Sequence, residues 1–213
     1  MNTRIIKRAI TTGGVFVLIM LQLYIVAEPV FAITANDNVT VTLTVDEGIT
    51  ITDGSNVTMS PNLGVAADSS IGSSAWTVKT NAAAGYTLAI KAGASPALVS
   101  GGNSFADYTP AVADTPEAWS VTSGNKEFGY SAFGTDTSTG TWGTSATCGA
   151  AGVPDASMKY QNTKITDRTI ATRGTVTPTA GIATTICFAA EQDTIYAAAG
   201  VYTATITATA TTL

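Results

Sequence analysis

The segment Gly200–Leu213 reads GVYTATITATATTL and alternates almost without a break. Tyr202, Ala204, Ile206, Ala208 and Ala210 fall on one side of an extended chain, and Thr203, Thr205, Thr207 and Thr209 on the other. A period of two is the signature of a strand with one face toward a core and one toward water. Threonine and isoleucine also favour the pleated conformation. A last strand built in this way belongs to a sheet that buries one face.

The same design recurs upstream. NVTVTLTV, Asn38–Val45, sets Val39, Val41, Leu43 and Val45 against Thr40, Thr42 and Thr44. DEG is read as a turn, ITIT (Ile49–Thr52) as a resumed strand and DGSN (Asp53–Asn56) as a second turn. VTMS before Pro61 is a short strand candidate. SAWTVKT (Ser74–Thr80) and YTLAIKA (Tyr86–Ala92), joined by NAAAG, read as a hairpin with Trp76 and Val78 on one face and Tyr86, Leu88 and Ile90 on one face. EAWSVTS (Glu117–Ser123) and EFGYSAFG (Glu127–Gly134) read as another strand pair, and a short strand is expected around Met158 and Tyr160. GIATTICFAAE (Gly181–Glu191) has the continuous apolar run of a buried strand. The first and last alternating segments are expected either to pair or to sit on opposite edges, and the last is also a candidate for pairing with a neighbouring molecule. No segment shows a sustained helical period. The predicted fold is all-β: an antiparallel β-sandwich of the Ig-like or Greek-key type, with long loops around 93–116 and 134–156.

A different signal precedes the strands. Arg4, Lys7 and Arg8 lead into the apolar run Val15–Ala27, followed by EPVFA ending at Ala32. A basic start, a short apolar stretch and small residues at the end make a secretory signal peptide, in a helix, over residues 1–32. A run of 13 residues is too short to cross a bilayer, which takes about 20. A membrane association is therefore expected only through an uncleaved signal segment. Residues 33–213 form the expected single domain, large enough to bury a core. Loss of Arg4, Lys7, Arg8 and Glu28 with the leader leaves seven basic and 14 acidic side chains, a net charge of −7. That surface repels nucleic acid.

Cys148 and Cys187 are the two cysteines. In an exported chain they are expected to form one disulfide, with two buried free thiols as the alternative. The chain contains no histidine. Serine–histidine and cysteine–histidine catalysis and histidine metal sites are thereby excluded, and two cysteines cannot complete a zinc site. Paired carboxylates remain the one catalytic option, from Asp107, Asp114, Glu117, Glu127 and Asp136. All five sit in sequences equally suited to solvated turns, so the chain is expected not to be an enzyme and to need no cofactor. Asp46, Glu47, Asp53 and Asn56 concentrate oxygen ligands without the spacing of a calcium loop, and no metal is expected. Asn38-Val39-Thr40 and Asn56-Val57-Thr58 match the N-glycosylation pattern, which matters only in a host with the machinery.

Among the aromatics, Trp76 and Trp119 lie in strand patterns and are expected in the core. Trp142, in a Gly/Thr/Ser-rich stretch, is expected at the surface. With Tyr108 it makes a candidate platform for stacking on sugar rings.

Trp76-Thr77-Val78 and the final run carrying Gly200, Tyr202, Thr203, Ala204, Thr205 and Ile206 resemble WxL-type bacterial cell-surface domains, with Val78 in place of the motif's leucine. The mature chain also resembles secreted proteins of candidate-phylum bacteria. The resemblance implies an exported bacterial β-sandwich, extracellular or at the cell surface, whose partners are an envelope component or further copies of itself. Structural or adhesive work is the leading expectation. A carbohydrate-binding module is the alternative.

Overall fold

A computed structural model describes residues 34–52 and 54–213. The expected signal peptide, residues 1–32, and Asp53 lie outside the described residues. The chain divides into Met1–Thr44 and Val45–Leu213, and each unit is taken by itself.

The regular structure in the described part of the second unit is nearly all strand. In chain order it runs β1 (Ile49–Thr52), β2 (Ser69–Thr80), β3 (Tyr86–Ala92), β4 (Val99–Ser100), β5 (Asn103–Ser104), β6 (Ala106–Asp107), β7 (Lys126–Gly134), the one-turn helix α1 (Thr139–Trp142), β8 (Gly149–Ala150), β9 (Val153–Pro154), β10 (Gln161–Asn162), β11 (Arg168–Arg173), β12 (Ile182–Gln192) and β13 (Ile206–Thr212). A large sheet has the order β1-β2-β12-β7-β10, with β6 added parallel to β7. A small sheet has the order β11-β3-β13. Every ladder along both of these strand orders is antiparallel.

The two sheets bury one shared core. Trp76 and Val78 of β2, Phe128, Tyr130 and Ala132 of β7, and Ile186 and Phe188 of β12 meet Tyr86, Leu88 and Ile90 of β3. The alternation expected in β3 is present: Tyr86, Leu88, Ile90 and Ala92 are all buried.

Ser74–Thr80 and Tyr86–Ala92 do not form a hairpin. β2 pairs with β1 and β12, whereas β3 pairs with β11 and β13. The intervening turn carries the chain from one sheet to the other, so Trp76 and Leu88 share the core rather than a ladder. Gly85 makes this corner possible. It has φ +82°, and a Cβ there would lie 2.0 Å from the Arg173 carbonyl oxygen.

The partner expected for β7 is also absent. Glu117–Ser123 forms only a bridge from Glu117 to Tyr160, and β7 lies between β12 and β10 instead. VTMS contributes only the bridge Ser60–Ile71.

The packing of β12 explains why its sequence does not alternate. Ile186, Phe188 and Ala190 enter the shared core, and Cys187 and Ala189 enter a second cluster on the other face with Tyr108, Met158 and Tyr160. The long loops therefore cover the outer face of the large sheet. Trp119 belongs to this outer layer, half-buried, stacked on Tyr108 at 4.6 Å and edge-on to Tyr160 at 5.2 Å. Gly129 of β7 lets the layer approach, since a Cβ there would stand 2.8 Å from Tyr108 Cβ. The Cys148–Cys187 disulfide ties the layer to the central strand, with Cα atoms 5.3 Å apart. That pairing is the one expected from the cysteine count.

Asn38–Val45 is not a paired strand. Residues 34–48 carry no strand, turn or bend, and Val39, Val41, Leu43 and Val45 are 83%, 87%, 84% and 73% exposed. DEG is accordingly not a turn. Asn81 grips the end of this stretch: its Nδ2 donates to the Asp46 carbonyl (2.7 Å) and its Oδ1 accepts from the Gly48 N–H (2.7 Å). Among the described residues no helix is long and apolar enough to cross a membrane.

Candidate interaction edge

The residues expected to form a sugar platform are not at the surface. Trp142 is 3% exposed and Tyr108 1%. The Gly/Thr/Ser-rich stretch around Trp142 folds inward because Ser138 caps α1, its Oγ accepting from the Thr141 N–H at 3.3 Å. The Trp142 ring then packs 5.4 Å from that of Tyr130, inside the shared core. Tyr108 is covered by Trp119, and its hydroxyl donates to the Ala118 carbonyl at 3.1 Å. Both rings are packing elements, not a platform. Trp142→Ala is expected to cost about 3–5 kcal/mol, as for large aromatic truncations in a core. Chemical denaturation of the variant measures this, and an unchanged midpoint would refute the packing role.

The five candidate carboxylates are each held by neighbours. Asp107 accepts from the Ala97 N–H (3.0 Å), Ser95 and Thr163, which fastens two loops. Asp114 meets Lys164 and Arg168, and these partners, the Lys164 hydrogen bond first, hold its carboxyl below the usual range. Glu117 accepts from the Ala111 N–H at 2.8 Å, and buried Glu127 from the Thr109 N–H at 3.2 Å. Asp136 accepts from the Tyr86 hydroxyl (2.8 Å) and pairs with Arg173 (3.1 Å). These are structural bonds. Among the described residues no three acidic or cysteine side chains are placed to share a metal ion.

What the fold leaves unused is a backbone edge. β13 pairs with β3 from Ile206↔Ala92 to Thr212↔Tyr86. The flanking bonds fix which groups face β3: the Gly93 N–H donates to the Thr205 carbonyl (2.9 Å), and the Leu213 N–H to the Gly85 carbonyl (3.2 Å). In an antiparallel ladder these bonding groups recur at every second residue. The odd-numbered threonines therefore bond β3, and the N–H and C=O groups of Ile206, Ala208, Ala210 and Thr212 point the other way. Among the described residues no strand pairs on that side.

The same four residues carry the inward side chains, and each is only half-buried, while the threonines between them are exposed. Ile49, Val57, Met59 and Leu63 are likewise partly covered where they pack on the core. β1 is the terminal strand of the large sheet and comes within 8 Å of β13 between Cα atoms. Two free sheet edges thus border one seam over an incompletely covered core. β13 has no charged residue and no proline to blunt its edge, the usual protections against pairing.

The alternation of Gly200–Leu213 was enough to mark an edge candidate. The half-covered core beneath it had no local sequence signal, because it depends on how β1 and β13, far apart in the chain, come together. Comparison of the chain with protein-family models, with curated proteins and with solved structures finds no match in any of the three.

Proposed function

We propose that this chain is an exported structural or adhesive protein of a bacterial cell surface, working through its sheet edges and associating with other copies or with an envelope component. The two antiparallel sheets are read as the halves of an Ig-like sandwich. The observation that carries the proposal is the uncharged edge of β13, unpaired among the described residues, above half-buried apolar side chains. Such an edge is a template for β-augmentation, in which main-chain bonds give affinity and alternate side-chain pockets give specificity.

Other features support the compartment. A disulfide between Cys148 and Cys187 persists in oxidising surroundings, and the basic-then-apolar start of the chain is that of an exported protein. The WxL-like residues Gly200–Ile206 run into the edge strand itself. A non-catalytic role agrees with the lack of histidine and with the structural engagement of the five candidate acids. The carbohydrate alternative relied on Trp142 and Tyr108, which are core residues.

Light scattering over a concentration series tests the reading. The wild-type chain should associate, and Ala208→Lys, which puts an inward-pointing charge on the edge, should remain monomeric with an unchanged circular-dichroism spectrum. Fractionation of producing cells should find the protein in the envelope or medium. A monomer at every concentration defeats self-association, and a cytosolic location defeats the surface assignment.

A further inference from the structure

We propose that the strand received by the β13 edge is Asn38–Val45 of a second copy, so that copies join head to tail by strand donation. This deepens the edge-association reading and rests on it.

The two features complement one another. Asn38–Val45 is an alternating segment with four apolar side chains, all largely exposed, and no ladder among the described residues. β13 is an alternating strand with an unbonded edge and four inward positions that are half-buried. Residues 39–45 alternate apolar side chains with threonines, and 206–212 alternate inward side chains with outward threonines, each over seven residues. Placed antiparallel, as are the other two strands of the small sheet, Val39 stands opposite Thr212, Val41 opposite Ala210, Leu43 opposite Ala208 and Val45 opposite Ile206. Leu43, the bulkiest donor residue, and Val41 then face the two alanines, where β13 fills least of the core. Thr40, Thr42 and Thr44 join the outward threonines of β13, so the added strand presents the same polar exterior. Its odd-numbered backbone groups meet the free N–H and C=O groups of Ile206, Ala208, Ala210 and Thr212.

The segment's own copy is a poorer recipient. Residues 45–48 have no turn or bend, and the Asn81 bonds to Asp46 and Gly48 hold them so. A return onto the same body would need a reversal within those residues. It would also lay the segment parallel to β13, because Ile49 and Thr212 pair with Thr80 and Tyr86, on either side of the same corner. A second copy meets neither obstacle. One copy's donor segment and another's edge make an assembly that stays open at both ends, which suits a surface fibre.

Variants of the full exported chain that each add one cysteine to the Cys148–Cys187 pair test this. In the antiparallel register Thr42 lies opposite Thr209, at a non-hydrogen-bonded pair whose Cα separation of about 4.5 Å permits a disulfide. Mixing Thr42→Cys protein with Thr209→Cys protein under oxidised glutathione should yield a covalent heterodimer as the main product. Neither variant alone should give it in comparable yield. Leu43→Asp should abolish the wild-type oligomers while leaving thermal stability unchanged. No heterodimer overturns the proposal, as does a doubly substituted chain that closes only on itself. If oligomers form but survive Leu43→Asp, the donor is wrong and the edge reading stands. If the wild-type chain never associates, both fail.

Discussion

Above pH 10 the fold should lose stability steeply, and the hydroxyls of four buried tyrosines should ionise together with unfolding rather than before it. Four tyrosines, Tyr86, Tyr108, Tyr130 and Tyr160, are almost wholly removed from solvent. Burial pushes each hydroxyl well above the ordinary phenol value. For Tyr86 the hydrogen bond to Asp136 adds to the rise, and for Tyr108 the nearby Glu117 charge does so, while Arg168 pulls Tyr130 slightly the other way.

The sign follows from proton counting. In the unfolded chain these groups lose their protons near pH 10, while the folded chain keeps them. The unfolded state then binds fewer protons, so stability falls as pH rises. The contribution is intact below pH 10 and is lost above it. Each retained proton is worth about 1.4 kcal/mol per pH unit. Tyr130 and Tyr160, from opposite faces of the large sheet, together give a slope of about 3 kcal/mol per unit, and Tyr86 and Tyr108 act in the same direction. Against a typical total of about 5–15 kcal/mol, two pH units are enough to matter. Thermal midpoints and tyrosinate absorbance measured in parallel check this. Tyr160→Phe should flatten the pH slope. Gradual ionisation of these four tyrosines near pH 10 with the fold intact would show that the rings are not sealed in.

Removal of the Cys148–Cys187 bond by Cys→Ala at both positions should lower stability by about 4 kcal/mol, the chain-entropy value for a loop of this length. For a domain of this size that is a fall in Tm of about 8–16 °C. The effect should be localised as well as global. Cys187 is fully buried in central strand β12, and Cys148 sits in the outer layer with Trp119 and Phe133. Without the tether, the 134–156 stretch should become the first site of proteolytic cutting. Calorimetry and limited proteolysis of the double variant measure both effects. A Tm within about 2 °C of wild type would mean that the outer layer is held by its aromatic packing alone.

Much of the all-β architecture was legible locally. The alternation in Tyr86–Ala92, Glu127–Gly134 and Gly200–Leu213 correctly assigned side chains that turn into the shared core. β11 gave no such pattern because a bulge between Thr169 and Ala171 puts Ile170 and Ala171 inside as neighbours. Trp142 was misplaced for a related reason: a Gly/Thr/Ser-rich composition describes a loop but not the direction in which its one large ring points. The candidate edge was visible as a strand. Its open side was not, since openness depends on what the remaining strands fail to cover.

The amino-acid order by itself determined the period and inward faces of β3, β7 and β13, the one cysteine pairing open within the chain and the exclusion of histidine chemistry, because each depends on neighbouring residues or on composition alone. Only the tertiary structure decided which sheet received each strand, that β2 and β3 part at Gly85, that the loops bury the second face of β12, and that Asn38–Val45 has no partner among the described residues. A period of two specifies two faces but names no neighbour. The choice of neighbour is made by the whole core when Trp76, Leu88, Tyr130, Trp142 and Ile186 are packed together.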